Sequence, residues 1–163
     1  MAKRIGIFVD VSNLYFCLSK KFDGRKLDYA KYYSYISDLG NVNRAVAYGA
    51  QIRGQANKFL HYLRQVGFET KYRSPKAFID NGTVRKKADC DLQIAVDIIQ
   101  YIEELDMLVL GSADGDFKPL IEMAKEKGVT TIILACQISQ DLKAIADEFI
   151  EIPASLLEDE SKS

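Results

Sequence analysis

Three short apolar runs constrain the fold more than anything else in the chain: RIGIFVD (4–10), MLVLG (107–111) and VTTIILAC (129–136). None is long enough for an ordinary helix, and none alternates as a strand with one wet face does. They are rich in Ile, Val and Leu, as strands buried on both faces are. Helix-like segments follow each of them. Strands alternating with helices predict an open, mainly parallel α/β sheet covered on both faces. Helices are expected at 12–21, 27–40, 55–67, 89–105, 116–128 and 139–149, with further strands at 42–50 and 68–73 and a last edge strand in FIEI (149–152). Asp80-Asn81-Gly82 signals a small hairpin within 74–88. The 163 residues suit one domain, 1–152, followed by a polar tail, 153–163, expected to fray.

Composition excludes several classes. Cys17, Cys90 and Cys136 are odd in number and in no CxxC spacing, so free thiols are expected rather than disulfides or a zinc site. The single histidine, His61, is read as structural or solvated. No apolar run is long enough to span a bilayer, so no membrane partner is expected. The first apolar run stops at Asp10, too short for a signal peptide, and a cytoplasmic protein is predicted. There is no Walker A loop and no GxGxxG. The near-neutral net charge hides an asymmetry. Residues 53–87 hold nine Lys or Arg against Glu69 and Asp80, while the rest of the chain is acidic overall. A basic segment in an acidic chain suggests a surface facing a polyanion, with a solvated charged face as the plainer reading.

In parallel sheets, ligands sit beyond the carboxyl ends of the strands, where the strand order reverses. Asp10 ends the first run, and Ser112, Asp114 and Asp116 follow the run 107–111 in LGSADGDF. Asp91 opens the helix 89–105. Singly, each acid reads as a helix cap or a turn residue. Together, four carboxylates at one edge repel one another unless protons or a cation offset the charge. Carboxylate oxygens with water suit Mg²⁺ or Mn²⁺. A metal there, beside a basic segment, points to phosphodiester hydrolysis, with Asp10, Asp91, Asp114 and Asp116 as catalytic metal ligands. Lys86 and Lys87 are the leading candidates for phosphate contact, with Arg85 and Arg73 from the same segment. Asp97, in IAVDII, is expected to bond a buried partner and to support the site rather than bind metal.

FVDVSNLY (8–15), DLQIAVD (91–97) and GSADGDFKPLI (111–121), in this order, resemble the NYN domain family of PIN-like nucleases, including bacterial proteins of the LabA type. The resemblance covers nearly the whole chain. It implies a PIN-like three-layer α/β/α sandwich with a mainly parallel central sheet. It also implies metal-dependent ribonuclease activity, an endonuclease on single-stranded or structured RNA. It carries metal-site roles onto Asp10, Asp91, Asp114 and Asp116, and supporting roles onto Asn13 and Ser112. Two departures stand out: Ala113 replaces a glycine of the acidic loop, and Ala88-Asp89 replaces a basic residue and glycine before the helix acid.

The competing expectation is an RNA-binding regulatory module with a vestigial acidic site. A haloacid-dehalogenase-type phosphatase wants an acid at position 12, which is Ser12, and a metal-dependent adhesion site wants a hydroxyl at position 14, which is Leu14. Tyr29, Tyr32, Tyr33 and Tyr35 could stack bases, although such spacing more often packs a core. A homodimer is compatible with the sequence but is not dictated by any feature of it.

Overall fold

The computed structural model describes residues 2–50, 56–73, 76–80, 83–87 and 90–159. In chain order the elements are β1 (Arg4–Asp10), α1 (Val11–Lys21), α2 (Tyr29–Ser37), β2 (Asn41–Ala50), α3 (Ala56–Val66), β3 (Glu69–Arg73), β4 (Lys76–Asp80) and β5 (Thr83–Lys87). They continue as α4 (Asp91–Tyr101), β6 (Met107–Gly111), α5 (Lys118–Glu126), β7 (Thr130–Ala135), α6 (Gln140–Ile145) and β8 (Glu148–Glu151). Short 3₁₀ turns lie at Ile102–Glu104, Gly115–Phe117 and Ala154–Leu156.

Six strands form one sheet in the order β3-β2-β1-β6-β7-β8, and every neighbouring pair is parallel. Right-handed crossovers place α1, α2 and α3 on one face and α4, α5 and α6 on the other, giving the expected three layers. The central strands are apolar on both faces because both are covered: Ile5, Ile7, Phe8, Val9, Leu108, Val109 and Leu110 are fully buried. The strand order reverses between β1 and β6, which fixes the crevice where a ligand site is expected. The hairpin also forms, with β4 and β5 antiparallel and Asp80 opposite Thr83; its turn, Asn81-Gly82, lies outside the described residues.

Two expectations need correction. The helix expected at 139–149 ends at Ile145. The carboxylate of Asp147 accepts hydrogen bonds from the Thr131 N–H at 2.8 Å and its hydroxyl at 3.0 Å, which draws the chain into β8. Asp114 caps the turn that leads into α5: its Oδ1 accepts from the Asp116 N–H at 2.9 Å and starts a 3₁₀ turn before that helix. The described part of the tail, up to residue 159, is tied down rather than frayed. Leu156 and Leu157 are buried, the Asp28 N–H donates to the Leu156 carbonyl, and the Glu158 N–H donates to that of Lys26.

Candidate functional site

The site is built on the carboxyl edge of the sheet, and α1 is its rail. Asp10 ends β1 and caps α1, its Oδ1 accepting from the Asn13 N–H at 3.1 Å. The helix then crosses the ends of the next three strands at one turn per strand. Asn13 Oδ1 accepts from the Ala113 N–H at 3.1 Å, just beyond β6. The Cys17 thiol donates to the Cys136 carbonyl at 2.8 Å, just beyond β7. Lys21 Nζ lies 3.9 Å from the Glu151 carboxylate at the end of β8. Residues spaced by four share a helix face, and the spacing of a helical turn is close to the spacing of strands.

The acidic loop is held from every side. Ser112 is fully buried, and its hydroxyl accepts from the Asp114 N–H at 3.3 Å. The Ser139 N–H donates to the Ala113 carbonyl at 3.2 Å. Gly111, where the loop leaves β6, has no room for a side chain: a Cβ there would lie 2.8 Å from Tyr32 Oη and 3.2 Å from Val9 Cα. At Gly115 a Cβ would lie 3.3 Å from Asp141 Oδ2. Asp141, in the first turn of α6, is therefore an acid beside the loop that the sequence reading did not single out; only the tertiary fold brings it there.

Asp91 stands in the first turn of α4. It lines a groove of about 560 Å³ between α4 and α5 together with Asp116, Leu92, Phe117 and Pro119. The four acids singled out from the sequence are thus linked in pairs. Asp10 is joined to the Asp114 loop through Asn13 and Ala113, and Asp91 and Asp116 share one groove. Among the described residues, no three Asp, Glu, His or Cys side chains form a group able to hold a metal ion. Carboxylates in pairs still suit hydrated Mg²⁺ or Mn²⁺, since Mg²⁺ is held by one or two carboxylates and keeps several waters.

Asp97 has the buried partner expected of it, Tyr48, and a half-buried one, Lys71. Its Oδ2 accepts from Tyr48 Oη at 2.7 Å and from Lys71 Nζ at 2.8 Å. Burial, followed by the Asp97 hydrogen bond, raises the Tyr48 pKa, and the same carboxylate raises that of Lys71. Near the site, burial raises the Tyr29 pKa and the negative charge of Asp10 adds to the shift. Burial, then the neighbouring Cys17 thiol, pushes the Cys136 thiol up to about 12; Cys17, Cys90 and Cys136 are not joined by disulfides. His61 is exposed. Tyr29 and Tyr32 are core residues, which favours packing over stacking for that group. Arg73 lies on β3, and Arg85, Lys86 and Lys87 lie on β5; their side chains fall outside the described residues. Among the described residues no helix is long and apolar enough to cross a membrane.

Known proteins share this architecture. A crystal structure of a protein of unknown function from Vibrio parahaemolyticus superimposes with a TM-score of 0.86 at 28% identity, covering 96% of this chain and 97% of that one. The chain is 26% identical over 157 residues to the low amplitude and bright protein LabA of Synechococcus elongatus, covering 91% of this chain and 83% of that protein. It is 27% identical over 153 residues to an uncharacterised protein of Methanocaldococcus jannaschii, covering 91% of this chain but 55% of that longer relative. The NYN domain pattern matches residues 4–156, and the chain belongs to the NYN domain family, a PIN-like family whose members are typically nucleases, generally bind RNA and typically use divalent metals.

Proposed function

We propose that this protein is a metal-dependent ribonuclease, an endonuclease that hydrolyses RNA phosphodiester bonds at the carboxyl edge of its sheet. One observation carries the reading: Asp10 and the Asp114–Asp116 loop meet at the point where the strand order reverses, tied together through Asn13. Asp10, Asp91, Asp114 and Asp116 would hold Mg²⁺ or Mn²⁺. Held there, such an ion would lower the pKa of a bound water and offset negative charge on the phosphate being cut. The chain's own residues do the positioning. Asn13 and the buried Ser112 hold the acidic loop in register with α1. Arg73, Arg85, Lys86 and Lys87 are assigned to phosphate contacts along the strand, where each neutralised phosphate adds salt-dependent affinity.

A second reading, an RNA-binding regulatory module with a vestigial site, draws on the lack of a three-ligand metal group among the described residues. One experiment separates the two: calorimetric titration of Mn²⁺ into wild type and Asp114→Asn, with a single-stranded RNA cleavage assay on the same samples. Asparagine keeps an oxygen for the Asp116 N–H, so the loop keeps its cap while losing its charge. The nuclease reading expects metal binding to weaken and cleavage to fall at least roughly a hundredfold, the scale of removing a group that stabilises developing charge. Cleavage at the wild-type rate by Asp114→Asn would refute it. RNA binding without cleavage in wild type, across varied RNAs, would favour the regulatory module.

A further inference from the structure

α1 turns one face to the strand ends through Asn13, Cys17 and Lys21, and another to the core through the buried Leu14 and Leu18. Its remaining face carries Tyr15 and Phe16, which are 51% and 70% exposed. Their rings meet edge to face, with centroids 5.5 Å apart and planes at 77°. An exposed phenylalanine on a helix already packed on two sides contributes nothing to the core, and a paired aromatic surface in water calls for a ligand. Lys20, one turn beyond Phe16, is also exposed and shares its face. From the Asp10 cap to Phe16 the helix rises about 9 Å, at 1.5 Å per residue. That is the scale of a nucleotide step or two along an extended strand. One helix therefore carries a reaction-centre acid at its start, two bare rings in its middle and an exposed cation beyond them.

We propose that Tyr15 and Phe16 form a stacking platform for bases of single-stranded RNA beside the acidic centre, with Lys20 contacting the backbone. The proposal rests on the reading of this edge as an RNA site, and it names the substrate class as unpaired RNA. Base faces stack on aromatic rings irrespective of sequence, and an adjacent cation tracks the phosphates. Bases inside a duplex are already stacked on one another and cannot use the platform. The exposed stripe on α4 offers no such chemistry: Leu92, Val96 and Ile99 are aliphatic.

The chain contains no tryptophan, so Phe16→Trp places a single fluorophore in the platform. The full-length variant is titrated with a labelled oligouridylate, with Mg²⁺ and with EDTA, following RNA anisotropy and indole emission together. An oligomer with abasic sites throughout and a blunt duplex serve as comparison ligands. Emission should be quenched in step with the anisotropy rise for the oligouridylate, and not by the abasic strand or the duplex. Phe16→Ala should weaken oligouridylate binding roughly fivefold to a hundredfold, the range for losing one base–ring stack, and Phe16→Tyr should restore most of it. Binding with unchanged indole emission, an unaltered dissociation constant in Phe16→Ala, or no RNA binding by wild type overturns the proposal. So does a dimer that Phe16→Ala converts to monomer with RNA affinity intact, since the rings would then be a protein interface. RNA that is bound with quenching but never cut in Mg²⁺ or Mn²⁺ supports the platform while removing the nuclease reading, so the two fail separately.

Discussion

Two helices bring acids to the same edge, and they are anchored in opposite ways. α1 is fixed at its very start: Asp10 caps it, and Asn13 bonds the loop that carries Asp114. α4 starts at Cys90 with no side-chain cap bond. A buried polar tie lies six residues beyond Asp91, where Asp97 receives Tyr48 from β2 and Lys71 from β3. Asp10 is therefore tied within the first turn of its helix, whereas α4 carries a buried charged tie about two turns beyond Asp91. Their outward faces differ as well, aromatic on α1 and aliphatic on α4. A helix that brings an acid to an edge can thus be gripped at that end, as α1 is by Asn13, or again further along its core face, as α4 is by Asp97.

The largest effect should come from cutting the remote tie. Asp97 is 6% exposed, and Asp97→Ala leaves Tyr48 Oη and Lys71 Nζ without their acceptor. Removing one partner of a buried, hydrogen-bonded pair costs about 3 kcal/mol, and a urea denaturation midpoint measures it. Asp97→Asn, which keeps an acceptor for Tyr48, should lose less. If Asp97→Ala is destabilised by less than about 1 kcal/mol, no more than a surface pair is worth, then the buried tie adds little to α4 and the contrast with α1 collapses.

The local tie should matter less to stability and more to the site. Asn13→Ala removes one neutral hydrogen bond, worth about 1 kcal/mol, and leaves the Ala113 N–H without that partner. The acidic loop keeps its bonds from Ser139 and within itself, so the fold should survive. Cleavage should nevertheless fall by more than the stability loss accounts for, because Asp10 and Asp114 lose the strut between them. Activity unchanged in a folded Asn13→Ala would show that the capped loop alone suffices.

Much of this was written in the chain, and the failures share a cause. MLVLG reads as a strand because a continuous apolar run of that length can only be a buried strand or part of a longer helix, and Gly111 rules out the continuation. Asp10 and the GSADGDF loop could be assigned to one edge because strand ends in parallel sheets share an edge. The errors fell where a distant partner decides the local structure. SQDLKAIADEF has helical spacing throughout, but Thr131 captures Asp147 from another strand. ASLLEDESKS is polar by composition, yet Leu156 and Leu157 close over the start of α2 through Lys26 and Asp28. In SNLYFCLSKK the apolar residues nearly encircle the helix, so its spacing alone could not tell that Leu14 and Leu18 go inward and Tyr15 and Phe16 stay out. Nor could it pair Asp97 with Tyr48 and Lys71, which are tens of residues away.

The smallest and most discriminating effect concerns alkaline pH, because only the Asp97 tie includes a basic side chain. The Asp97 carboxylate raises the Lys71 pKa above its ordinary value of 10.5, the hydrogen bond between them being the larger cause and their charges also contributing. A lysine with a raised folded-state pKa binds its proton more tightly when folded than when unfolded. Its contribution to stability is therefore complete below the unfolded value and is lost as pH rises through the folded one. The Asn13 amide has no such dependence. Denaturation midpoints measured from neutral pH to above the ordinary lysine pKa should decline more steeply in wild type than in Lys71→Met. The other lysines and tyrosines titrate in both proteins, so the difference in slope isolates this pair. Asn13→Ala should run parallel to wild type over the same range. A wild-type curve parallel to that of Lys71→Met would mean that the lysine bond adds nothing to the anchor. In that case Tyr48, whose hydroxyl donates to Asp97 at 2.7 Å, carries the tie.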